Sequence, residues 1–181
     1  NVLGMPGPRR YVYLCLGKGP APYAYLTREP GKKDVAVYGP LVGRGSLNDA
    51  VRRLNDWFRL RDCPKNPPIV FADQGELFPP ADPRGAKCLR FEINTCLGPC
   101  AGLCGQRDYG AAVRAAKAFL DGRDRSLLGT LETQMATAAA ELRFEQATAL
   151  RDRWQVLSRL DERLTFLRTA QRYGLPSAVQ R

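Results

Sequence analysis

Histidine is absent from all 181 residues. That excludes the usual Ser-His-Asp and Cys-His nucleophiles, and it removes the commonest nitrogen ligand for metals. Long apolar runs are missing too. Stretches such as Tyr11-Val-Tyr-Leu-Cys-Leu16 fall well short of the roughly 20 residues that span a bilayer. The first residues carry no basic region followed by a long apolar one, so a secretory signal is not expected. Gly39-Pro-Leu-Val-Gly-Arg-Gly-Ser46 is glycine-rich but lacks the lysine of a phosphate-binding P-loop. No pair of cysteines has the C-x₂-C spacing of a zinc knuckle, and the scattered acids form no paired-carboxylate arrangement. Catalysis within these residues is not expected.

What is present is a soluble-type composition with a strong basic excess. The hydrophobic fraction of 44% and charged fraction of 25% suit one or two modest domains with a real core. The net charge is +10, and it is uneven. Residues 1–63 hold 11 basic and 5 acidic side chains, and residues 84–125 hold 8 and 4. The excess therefore lies in the first two-thirds, where a nucleic-acid backbone can be met. A merely solvated basic surface is the plain alternative.

Six cysteines could form three disulfides only in an oxidising compartment, and nothing indicates one. A cytoplasmic chain with clustered cysteines more often binds metal. The chain starts at Asn1 rather than Met, so further residues are expected before it.

Along the chain, Tyr11–Leu16, Pro22–Thr27 and Val35–Gly39 are rich in β-branched and aromatic residues and read as a small sheet. Cys15, mid-strand among apolar neighbours, reads as a buried small hydrophobe. Ser46 is placed to cap a helix carrying Leu47, Ala50, Val51, Leu54, Trp57 and Phe58 at helical spacing. Arg52, Arg53, Arg59 and Arg61 fall outside that stripe and, with Arg90 further on, are candidates for phosphate contact. Residues 64–87 contain six prolines and read as an exposed inserted loop.

From Asp108 the pattern is helical. Tyr109, Ala112, Val113, Ala116, Phe119 and Leu120 share one face, ended by Gly122. A second helix carries Leu127, Leu128, Leu131, Met135, Ala138 and Leu142. A third runs from about Phe144 through Leu150, Trp154, Leu157 and Leu160 towards Leu167. Short breaks predict antiparallel neighbours. Nothing after Tyr173 has a structural pattern. The fold class is α+β: residues 1–62 a small sheet with a helix, 63–106 a cysteine-rich segment, 107–170 helical, and 171–181 a tail.

The cysteines after the sheet are Cys63, Cys88, Cys96, Cys100 and Cys104, with 24, 7, 3 and 3 residues between them. Thiolates suit zinc or an iron–sulfur cluster. A cubane cluster accepts irregular loop spacing more readily than zinc does, so spacing favours iron–sulfur over zinc, with metal-free cysteines as a third possibility. Cys96-Leu-Gly-Pro-Cys100 is the most constrained pair, because Gly and Pro turn the backbone tightly there. Spacing leaves the fourth ligand open between Cys63 and Cys104.

Three stretches in fixed order resemble one family. They are Val37-Tyr-Gly-Pro40 with the helix leading into Trp57-Phe-Arg-Leu-Arg-Asp-Cys63; Cys88-Leu-Arg-Phe-Glu-Ile-Asn-Thr-Cys96-Leu-Gly-Pro-Cys100-Ala-Gly; and Met135 to Asp152, with Leu142-Arg-Phe-Glu-Gln-Ala and Leu150-Arg-Asp. Together they resemble the UvrC-type excinuclease family, the endonucleases of bacterial nucleotide excision repair, the last stretch being similar to the UVR motif over about 131–165. The resemblance implies a middle region between a GIY-YIG and an RNase H-like nuclease domain, without either catalytic centre. It implies a four-iron, four-sulfur (4Fe-4S) cluster on Cys63, Cys88, Cys96 and Cys100, with Cys104 an extra thiol and the alternative fourth ligand. It also implies docking on the helicase-like UvrB-type protein through Phe144, Glu145, Ala147, Arg151 and Asp152, and contact with damaged DNA. The competing expectation is a zinc-binding regulatory adaptor whose UVR hairpin binds a protease chaperone or kinase. A DNA-binding module without repair activity is the third.

Overall fold

The computed structural model describes residues 11–17, 19–63, 67–74 and 88–173. Three antiparallel strands come first: β1 Tyr11–Gly17, β2 Tyr23–Thr27 and β3 Ala36–Val42, in the order β2-β1-β3. Alternation places Val12, Leu14 and Leu16 of β1 on one buried face, with Ala24 and Leu41 beside them. Cys15 is fully buried, as its apolar setting predicts.

Helix α1 (Arg44–Trp57) packs on that sheet through Leu47, Ala50, Val51 and Leu54. It starts three residues earlier than predicted, and Ser46 is not its cap. Gly43 takes a left-handed conformation (φ 85°) that turns the chain into the helix. The Ser46 hydroxyl instead donates to the Gly43 carbonyl at 3.0 Å. Asn55, buried on α1, binds β2 through its side-chain amide: Oδ1 accepts from the Ala24 N–H at 2.9 Å, and Nδ2 donates to the Ala24 carbonyl at 2.8 Å.

The proline-rich segment is not wholly an exposed loop. Ile69 packs on the core, Phe71 is buried, and Ala72–Gln74 form a short 3₁₀ turn. Apolar side chains won over proline there because the turn docks on the cysteine segment. Val70 N–H donates to the Pro99 carbonyl, and Ala72 N–H to that of Cys104, both at 2.9 Å. The rest of the predicted insertion, 64–66 and 75–87, lies outside the described residues.

The short helix α2 (Leu89–Glu92) follows, then α3 (Gln106–Leu120), α4 (Ser126–Ala140) and α5 (Phe144–Arg172). Helix α3 buries Tyr109, Val113, Ala116, Phe119 and Leu120, the predicted stripe, and Gly122 turns the chain at φ 71°. Helices α4 and α5 form a hairpin in contact along their length, and α5 also packs on α1. The second helix ends before Leu142, which sits in the connecting turn at φ 57° instead of in the hairpin's apolar seam. The seam is Leu127, Leu131 and Ala138 with Leu157, Leu160 and Leu164. Helix α5 extends past the predicted Leu167 to Arg172, and the tail from 174 lies outside the described residues.

One buried charge escaped sequence reading. Asp161 lies in the apolar stripe of α5, 6% exposed, and pairs with Arg125 (3.1 Å) and Arg168 (3.5 Å). Arg168 also donates to the Leu120 carbonyl at 2.7 Å, closing the end of α3. The only warning in the sequence is an acid flanked by Leu157, Leu160 and Leu164 at helical spacing.

Candidate metal centre

The cysteine segment is built from turns, and each turn has an identifiable cause. The chain leaves α1 through Arg59, which is left-handed (φ 55°). The Arg59 carbonyl accepts the Leu97 N–H at 2.9 Å, drawing Cys96 and Leu97 against residues 59–63. Cys88 stands at the start of α2, where its carbonyl accepts from Phe91 and Glu92. Asn94 (φ 61°) then reverses the chain towards Cys96.

Gly98 turns it again at φ 72°. A side chain there would meet Leu103 Cδ1 at 2.9 Å and Phe91 Cδ2 at 3.1 Å, so only glycine fits. The Gly98 N–H donates to Cys96 Sγ at 3.4 Å. The same residue therefore makes the turn and supplies a hydrogen bond to sulfur.

These turns put four thiols within one another's electrostatic reach. Burial pushes Cys96 and Cys100 up from the ordinary thiol range, and the nearby Cys63 and Cys88 push both further. Arg90 pulls Cys96 back down, and Arg61 does the same for Cys100. Cys104 is different. Its side chain belongs to the hydrophobic core with Phe71 and Tyr109, and burial, then Cys96 and nearby acids, raise its thiol to about 11. Cys96 is also buried but lies outside that core cluster.

Among the described residues, no three Cys, Asp or Glu side chains are close enough to hold a single metal ion. A zinc ion draws its thiolates to about 2.3 Å from one centre, whereas an iron–sulfur cluster is several atoms across and spreads its ligands. Cys63, Cys88, Cys96 and Cys100 fit such a group: four soft donors, a backbone N–H on one sulfur, and cationic side chains beside them. The Nε hydrogen of Arg90, whose charge acts on Cys96, is buried without an acceptor among the described residues, which fits an anionic occupant.

The predicted phosphate-binding arginines separate into two groups. Arg52 is exposed on α1, and Arg53 is half-buried, paired with Asp49 at 3.3 Å. Arg59 is half-buried at the turn described above. Arg61 and Arg90 are turned inward instead. Arg61 is 3% exposed with its guanidinium 5.3 Å from the centre of the Tyr23 ring. Arg90 pairs with Asp56 and Asp62, both at 2.8 Å. Their acidic and aromatic partners lie up to 38 residues away in sequence, so charge alone pointed them at DNA.

The hairpin presents its tip to solvent. Leu142 is 72% exposed and Phe144 64%, on either side of Arg143, which pairs with Glu141. Glu145 and the adjacent Arg151–Asp152 pair are exposed, and Ala147 is half-buried. Below them Trp154 donates to Glu132 at 2.9 Å and ties α5 to α4.

Residues 11–119 match the model of the UvrC/Cho excinuclease middle domain, and residues 125–160 match the UvrB/uvrC motif. The chain belongs to the UvrC/Cho excinuclease family. It is 30% identical over 155 residues to UvrABC system protein C of Dechloromonas aromatica, covering 86% of this chain and 24% of that protein. The corresponding protein of Neisseria meningitidis is 34% identical over 149 residues, with 82% and 22% covered. That of Caulobacter vibrioides is 36% identical over 121 residues, with 67% and 17% covered. The chain thus spans about a quarter or less of the UvrC proteins it matches. No solved structure matches it. Among the described residues, the middle-domain match covers the sheet, α1, the cysteine segment and α3, and the motif match covers most of the α4–α5 hairpin.

Proposed function

We propose that this chain is the non-catalytic connecting region of a nucleotide-excision-repair nuclease. Cys63, Cys88, Cys96 and Cys100 hold an iron–sulfur cluster, the UVR hairpin docks on a UvrB-type protein, and the basic surface around Arg52 and Arg53 meets DNA. The observation that carries the docking is the tip itself. Two large apolar side chains, Leu142 and Phe144, stand exposed at the turn with charged neighbours, the pattern of a binding surface.

The cluster's role here is to order a segment that has little regular structure. Bound metal supplies folding free energy that turns alone lack. The long Cys63–Cys88 separation is then closed at both ends by ligands.

Anaerobic purification with visible absorbance and iron, sulfide and zinc analysis tests the cluster. About four irons per chain, lost in Cys63→Ser and kept in Cys104→Ser, is the expected result. One zinc without iron would overturn the iron–sulfur reading and leave a zinc site in its place. Binding of a purified UvrB-type protein to the chain, lost on Phe144→Ala, tests the docking, and steeply salt-dependent DNA binding tests the third element.

A further inference from the structure

Arg90 lies where three of the four thiol-bearing segments meet. Its Nη1 pairs with Asp62, which precedes Cys63, at 2.8 Å. Its Nη2 reaches Asp56 near the end of α1 at 2.8 Å, the Thr95 carbonyl beside Cys96 at 3.1 Å, and the Leu60 carbonyl at 3.4 Å. Arg90 itself stands two residues after Cys88. Its own carbonyl accepts from the Thr95 N–H at 2.8 Å and from the Thr95 hydroxyl at 3.1 Å. One planar fork thus ties Cys63, Cys88 and Cys96 together through residues close to them in the chain. The fourth thiol, Cys100, is placed separately by the Gly98 turn and the Val70–Pro99 bond.

We propose that Arg90 is the positioning residue of the thiol site: its guanidinium sets the mutual placement of Cys63, Cys88 and Cys96, and its charge offsets theirs. This deepens the iron–sulfur reading and rests on it only for the identity of the occupant. Only arginine suits the position. Its donors lie in a fixed plane and reach two carboxylates and two carbonyls at once, whereas lysine offers a single charged nitrogen on a flexible stem. Asp56 and Asp62 are each about four-fifths buried in their side chains, so removing the cation leaves two acids that repel each other, with Arg52 the remaining cation acting on Asp62. The fork would spring apart, carrying Cys63 away from Cys96.

The test compares the unaltered chain with Arg90→Gln, Arg90→Lys and Asp62→Asn, all purified anaerobically. Two readouts are taken: the alkylation rate of each cysteine by iodoacetamide, followed by peptide mass, and the iron content with the reduction potential of whatever iron is bound. In Arg90→Gln, alkylation at Cys63, Cys88 and Cys96 should rise about tenfold or more, the scale on which supporting residues act at metal sites. Cys15 in the sheet should be unchanged. Bound iron should fall, and any that remains should have a lower reduction potential because a cation is gone. Arg90→Lys should restore the potential more fully than the alkylation pattern. Asp62→Asn should expose Cys63 more than Cys96. Alkylation at unaltered rates in Arg90→Gln would overturn the proposal. If Arg90→Gln exposes Cys15 as well, the fold has been lost and Asp62→Asn decides: selective exposure of Cys63 supports the proposal, and uniform or absent exposure overturns it. An unaltered chain without iron whose variants still show the selective pattern would remove the cluster and leave the positioning role intact.

Discussion

The cysteine segment and the α4–α5 hairpin are joined by a single helix, yet they hold their shape by different physics. Between Cys88 and Cys104 the chain makes one four-residue helix and then turns at Asn94, Gly98 and Gly102. Its order comes from hydrogen bonds and ion pairs to distant residues, with Arg90 at their centre. The hairpin satisfies its own backbone and is held by an apolar seam of leucines along two regular helices. A segment of the first kind depends on every partner, because each buried polar group left alone costs about 1–3 kcal/mol. The second kind tolerates change on its exposed faces, away from the seam and the buried Asp161, and so can carry large apolar side chains at its exposed tip.

The largest expected effect strikes the hairpin. Leu157→Ala empties a fully buried seam position and should cost about 2–5 kcal/mol in urea unfolding. The alkylation rates of Cys63, Cys88 and Cys96 below the transition should stay unchanged. A parallel rise would mean the two regions unfold as one unit.

Tyr109→Phe reaches the other side of the comparison. The Tyr109 hydroxyl accepts from the Arg61 N–H at 3.1 Å and donates to the Pro22 carbonyl at 3.0 Å, bracing the stretch that leads into Cys63. Its loss should cost about 1–3 kcal/mol, with hydrogen exchange quickening over residues 59–63 and not in α5. Uniform quickening would contradict the division.

Acid probes a joint outside both regions. Burial alone would push Asp121 up, but hydrogen bonds from Lys117, Tyr38 and Arg123 hold its carboxyl below the usual range. A depressed carboxylate stabilises the fold above its unfolded value, and that contribution is lost as pH falls through the folded one. Melting temperature should therefore decline below the ordinary carboxylate range, and Asp121→Asn should flatten that decline. An unchanged slope would show that other acids govern it.

The smallest effect on stability belongs to the tip. Phe144→Ala should change unfolding by no more than about 0.5 kcal/mol, since the ring is exposed, while abolishing binding to the UvrB-type protein. A large loss of stability would place Phe144 in the hairpin's packing instead.

What could be read from the sequence follows the same division. Local periodicity revealed the strands, the α3 stripe with its closing Gly122, and buried Cys15, because each depends on neighbours a few residues away. Long-range ties were invisible. Arg61 and Arg90 looked like surface cations because Tyr23, Asp56 and Asp62 are remote in sequence or hidden by the fold. Leu142 looked like a seam residue because its helical spacing continues across a turn that only its left-handed backbone reveals. Ser46 looked like a cap because glycine at 43 offers no side chain to announce the helix start. At the candidate site, cysteine spacing leaves the fourth ligand open between Cys63 and Cys104, and the place of Cys104 in the hydrophobic core needed the fold.

The amide of Asn55 has a consequence beyond joining a helix to a strand. The two outer strands of a small sheet expose backbone groups on which another chain can polymerise. On β2, Asn55 occupies both the N–H and the carbonyl of Ala24, so an incoming strand finds that stretch already taken. On β3, Pro40 has no N–H to offer. The sheet is guarded on both sides, by a borrowed side chain on one and a missing hydrogen on the other, and aggregation by strand addition is discouraged at both.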